Sequence, residues 1–138
     1  IPYGTPTGSF FASFYATRWL EIQANGKRGV SYSVTESETY FIENQIGGGI
    51  NIQPAARVLL KGYASTGPNQ YPRSPADPAG RRDERTLFGG GLSVLLTDRA
   101  VLTGLITRID TVSSSSAVGD SAVTRYTLGV SLSGELAR

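Results

Sequence analysis

Apolar and polar residues alternate most regularly near the end of the chain. Over 124–136, Tyr126, Leu128, Val130, Leu132, Gly134 and Leu136 fall on one side, and Thr127, Gly129, Ser131, Ser133 and Glu135 on the other. A period of two belongs to a strand with one greasy face and one small polar face; on a helix the same apolar residues would spread around the whole circumference. The stretch 40–52 repeats the pattern. Tyr40, Ile42, Ile46, Gly48, Ile50 and Ile52 oppose Phe41, Glu43, Gln45, Gly47, Gly49 and Asn51, with Asn44 the exception on the apolar side. Both stretches are long for soluble strands and comfortable for tilted membrane strands.

The same reading extends along the chain and gives seven strands, at about 9–24, 28–36, 39–52, 57–66, 85–96, 99–110 and 124–137. In the fourth, Val58, Leu60, Gly62 and Ala64 share a side, although Leu59 and Tyr63 interrupt the face around Lys61. In the fifth, Phe88, Gly90, Leu92, Val94 and Leu96 align; the sixth carries apolar residues on both sides, so its orientation stays open. Tight breaks are expected near 25–27, where Asn25-Gly26 reads as a hairpin turn, near 53–56, where Pro54 lacks a ladder donor, and near 97–98. Two longer connections, 67–84 and 111–123, fall at the opposite end; only the short break near residue 37 departs from this alternation. Pro68, Pro72, Pro75 and Pro78 argue for exposed loop in the first, and the run 113–116 of serines does so in the second.

Two hairpin units resemble one another. Gly47-Gly48-Gly49-Ile50-Asn51-Ile52 matches Gly89-Gly90-Gly91-Leu92-Ser93-Val94, each before a short turn and a returning strand, as in an internal repeat. Alternation continues through both triplets, so they read as glycine-rich strand that lets neighbouring side chains pack closely.

Composition narrows the chemistry. Glycine, at 17 of 138 residues, is abundant, and Cys, His and Met are absent. Without cysteine there are no disulfides or thiolate nucleophiles, and without histidine the commonest metal ligand and general base are missing. Asp77, Asp83, Glu84, Asp98, Asp110 and Asp120 supply oxygen atoms but not the spacing of a calcium loop, and no Gly-x-Ser-x-Gly elbow or P-loop occurs. The expectation is a protein that is not an enzyme and needs no cofactor. The net charge of +2 is spread along the chain; Arg81, Arg82 and Arg85, the densest group, enclose Asp83 and Glu84, so nucleic-acid binding is not expected. Phe10, Phe11, Phe14, Tyr15 and Trp19 are expected to form an apolar patch at one end of the sheet. No apolar run suits a membrane helix, which leaves membrane strands open; a start at Ile1 is expected of a mature or trimmed chain.

With the long strands and short turns of 40–63, 86–110 and 126–136 in view, the chain resembles the transmembrane β-barrels of bacterial outer-membrane proteins. That resemblance implies an all-β fold, an antiparallel membrane barrel of about seven or eight strands, whole, a fragment, or completed by another subunit. It departs from the family in its odd strand count and in lacking a terminal aromatic residue. Lipid is then expected at Ile42, Ile46, Ile50, Phe88, Leu92, Val94, Leu128, Val130 and Leu132. A lumen is expected at Glu43, Gln45, Asn51, Lys61, Arg108, Thr127, Ser131, Ser133 and Glu135. The implied role is a noncatalytic outer-membrane scaffold or narrow porin-like passage, with outer-membrane lipid as partner and self-assembly or other envelope proteins as further ones. Two alternatives share the alternation: an extracellular or cell-surface structural subunit that joins copies through sheet edges into a fibre or shell, and a soluble β-sandwich binding module.

Overall fold

A computed structural model describes residues 6–32, 40–73, 78–115 and 119–132. They form seven strands: β1 (Gly8–Thr17), β2 (Leu20–Tyr32), β3 (Tyr40–Ala55), β4 (Val58–Gln70), β5 (Arg82–Thr97), β6 (Ala100–Ser113) and β7 (Ser121–Leu132). All lie in one antiparallel sheet in the order β1-β2-β3-β4-β5-β6-β7, an up-and-down meander with β1 and β7 as open edges. Strands of 10 to 16 residues exceed the roughly five to six residues usual in soluble sheets.

Residues directly opposed in an antiparallel pair share a face. The register therefore sorts the sheet by number: Ile22, Ile50, Gly62, Gly90, Ile106 and Tyr126 stand in one row, and Glu21, Asn51, Lys61, Gly91, Leu105 and Thr127 in the next. Parity changes only at the irregularities beside the tight turns, between Tyr15 and Thr17, Ile52 and Ala55, and Leu95 and Thr97. One even-numbered and one odd-numbered face thus run the length of the sheet. No second layer covers either, and no hydrophobic side chain among the described residues is buried.

The first hairpin corrects the sequence expectation. Asn25 and Gly26 lie in the middle of β2, opposite Phe11 and Phe10, and the chain reverses instead at Arg18-Trp19. There Trp19 N donates to Thr17 Oγ1 at 3.3 Å, a side-chain-closed turn that repeats at Thr97, whose Oγ1 accepts from Arg99 N at 3.2 Å. Gly26 serves the strand: a Cβ there would collide with the Phe10 ring, which lies across it. Moving this turn also repairs the alternation. Tight reversals now sit at 18–19, 56–57 and 98–99, and the strand ends Tyr32, Tyr40, Gln70, Arg82, Ser113 and Ser121 all lie at the other end. Pro54 falls at the irregular end of β3, and β4 runs through Pro68 to Gln70, so the expected loop 67–84 shortens.

Small residues on the odd face allow close approach. A Cβ at Gly47 would stand 2.6 Å from Ser65 Cβ, far inside the roughly 4.5–5.5 Å usual for opposed residues, so only glycine fits opposite Ser65. At Gly89 an added Cβ would meet Tyr63 Oη at 2.7 Å, because the Tyr63 side chain reaches from β4 across β5 to Thr107 on β6, where the two hydroxyls hydrogen-bond at 2.5 Å. The glycine repeat is strand, and one of its roles is to receive this tyrosine. On β5 Leu87, Ser93 and Leu95 of the odd face are half-buried, whereas on the even face Phe88, Leu92 and Leu96 are exposed and Val94 is half-buried.

Candidate functional site

The two faces differ in chemistry. On the even face, Leu20, Ile52, Leu60, Leu92 and Leu128 form one row, with Val58, Val94, Leu102 and Val130 beside it. Leu128 and Leu132 are each 78% exposed, and Tyr126 76%, values that place whole apolar side chains outside the protein. All nine residues expected at lipid, Ile42, Ile46, Ile50, Phe88, Leu92, Val94, Leu128, Val130 and Leu132, share this face by register. At the long-connection end Tyr32 stands opposite Tyr40 on this face, and Trp19 lies in the first tight turn at the other end of the sheet. The apolar band is oblique. It persists on β3 to Ile42 and Tyr40 but gives way to Arg108 and Asp110 on β6, and to Glu84 and Arg82 on β5.

The odd face is laced by hydrogen bonds between strands. Asn51 Nδ2 donates to Glu21 Oε2 at 2.9 Å, Gln45 Nε2 donates to Ser65 Oγ at 2.9 Å, and Lys27 Nζ pairs with Glu43 Oε2 at 2.8 Å. Ser93 and Thr103 join their hydroxyls at 3.2 Å. Expected polar-face residues Glu43, Gln45, Asn51, Lys61, Thr127 and Ser131 are all here. Arg108 is not. It stands opposite Phe88 and Thr124 on the even face, where Nε donates to Asp110 Oδ1 at 2.9 Å, because its even position follows the unbroken parity of β6. Ser133 and Glu135 lie outside the described residues. Glu43 therefore pairs with Lys27 rather than with Lys61 or Arg108.

Nor is the odd face uniformly polar. Leu87, Leu95, Val101, Leu105 and Ile109 form an apolar area on β5 and β6, which resolves the two-sided character of the sixth strand. The aromatic group near the start divides likewise, Phe10 and Phe14 on the even face and Phe11 and Tyr15 on the odd, because the strand alternates.

Where the odd face meets the long connections, Asp83 is buried at 5% exposure. Its carboxylate accepts from Arg81 Nε at 3.1 Å and from Ser113 Oγ at 2.6 Å, while Ser113 N donates to Asp120. The Arg81 guanidinium lies 3.7 Å over the Tyr71 ring, which packs at 5.0 Å against Phe41. This cluster ties the connection between β4 and β5 to β3 and β6. The arginine group legible in sequence is split by parity: Arg81 goes to Asp83, Arg82 to Glu84 on the opposite face, and Arg85 to the odd face. Asp98 pairs with Arg57, and Asp77 lies outside the described residues.

Sequence reasoning missed Lys27, Glu21, Arg85 and Arg125 on the odd face. For Lys27 and Glu21 the misplaced first turn broke the parity; Arg85 and Arg125 were legible by counting alone. No family model, no curated protein and no solved structure matches this chain.

Proposed function

We propose that this sheet is the wall of a noncatalytic β-barrel in a bacterial outer membrane, acting as a scaffold or a narrow porin-like passage. The observation that carries the reading is the even face: a continuous apolar surface of half-buried to exposed side chains with no layer over it among the described residues, on a single-layer sheet of long strands. In water such an area exceeds what monomeric proteins expose, whereas in a bilayer hydrocarbon covers it. The tyrosines at one end of the band and its oblique course suit strands tilted through a membrane. Backbone groups at the edges β1 and β7 have no water to bond in hydrocarbon, so the barrel closes there, through further strand or another subunit.

Spin labels at positions 130 and 131 test the orientation. In reconstituted protein the expected result is access of a lipid-soluble relaxation agent at 130 and of a water-soluble one at 131. Equal water access at both positions would refute the membrane assignment; planar-bilayer conductance then separates passage from scaffold. A second reading rests on the open edges: an extracellular subunit that adds copies strand to strand. A defined soluble polymer in detergent-free buffer would favour it.

A further inference from the structure

The charges on the odd face are unequal in their partners. Of its acids, Glu43 is held by Lys27, Asp83 is buried between Arg81 and Ser113, and Glu21 accepts from Asn51. Three cations on the same face, Lys61, Arg85 and Arg125, have no carboxylate partner among the described residues. On the even face Arg82 with Glu84 on β5 and Arg108 with Asp110 on β6 neutralise one another two residues apart, and Arg28 alone is without a carboxylate partner among the described residues.

The three cations are spread over β4, β5 and β7 of that face. Lys61 stands in the row of Gly91, Leu105 and Thr127, Arg125 in the adjacent odd row opposite Thr107, and Arg85 farther toward the long connections, opposite Thr111. Residues flanking them in the register are mostly glycine or threonine, too short to cover a lysine or arginine. Among the described residues the one odd-face carboxylate not held by a cation, Glu21, is separated from Lys61 by Asn51, to which it is bonded. Inside a narrow wall of low dielectric, uncompensated charge of one sign focuses potential and enriches the opposite ion.

We propose that Lys61, Arg85 and Arg125 line an anion path on the odd face, so that the passage admits small inorganic anions in preference to cations. This rests on the passage form of the proposed function. The test is the reversal potential of the full chain in a planar bilayer across a KCl gradient, beside the triple variant Lys61→Glu, Arg85→Glu, Arg125→Glu. Chloride preference is expected for the parent and potassium preference for the triple variant. The corresponding glutamine set, expected to be intermediate, keeps the comparison readable if charge reversal impairs insertion, and Arg28→Glu on the even face is expected to leave the potential unchanged. A parent that conducts with potassium preference, or a potential that neither variant set moves, overturns the anion path alone. Inserted protein without conductance overturns the passage, and the anion path with it.

Discussion

Tyr63 shows how much one side chain settles. Its ring needs the bare backbone of Gly89 beneath it and the Thr107 hydroxyl beyond, so the residue that interrupts the alternation of β4 in sequence spans three strands in space. Gly89→Ala, whose Cβ would meet the Ile106 carbonyl oxygen as well as that ring, should cost about 1–3 kcal/mol, as overpacking does; Tyr63→Phe, which removes only the hydroxyl, should cost about 0.5–1.5 kcal/mol. Urea unfolding from a defined bilayer or detergent measures both, and a neutral Gly89→Ala would contradict this close packing. The faces predict a second contrast. Val130→Arg should cost about 2–4 kcal/mol in a membrane, where its neighbour Ser131→Arg should be markedly milder, because only the first points charge at hydrocarbon. Face membership was legible at these positions because a strand's parity needs only counting. Arg108 escaped because residue type, a charge, was allowed to outweigh the even number it shares with Ile106.

At the level of elements, the long regular strands were readable and the first turn was not. Asn25-Gly26 has the composition of a hairpin turn, yet the eight residues Gly8–Tyr15 of β1 pair continuously through it, and the local preference yields to that longer ladder. What closes the actual turn is a threonine immediately before the reversal, bonded to the backbone two residues on, in the first hairpin and again in the third. Thr17→Val and Thr97→Val should each lower stability by about 0.5 kcal/mol, the low end for an exposed hydrogen bond, and should slow hairpin formation. Equilibrium and kinetic unfolding of the two variants check this, with Thr124→Val on β7, which makes no turn contact, as the comparison. Asp83 could not be singled out beforehand: its burial depends on Tyr71, Arg81 and Ser113 arriving from three separate segments.

For the whole molecule, the alternating tight and long connections were visible in outline, and the corrected first turn makes them regular. Which medium covers a sheet was not legible, since alternation alone is shared by membrane walls and sandwiches. A single layer without a buried apolar side chain is expected to give strand-rich circular dichroism and one size in detergent, and to aggregate when the detergent is removed. A stable, monodisperse monomer in plain buffer would contradict that. The meander has one more consequence, for how the chain acquires its shape. Every strand pairs only with its neighbours in sequence, so no segment has to wait for a distant one to arrive. The entropy of loop closure stays small at each step, and the sheet can grow by adding one strand at a time to an existing edge. In the proposed barrel the single non-local event left is the joining of β1 and β7 to whatever completes the ring, and that seam is then expected to be the slowest to form and the first to open.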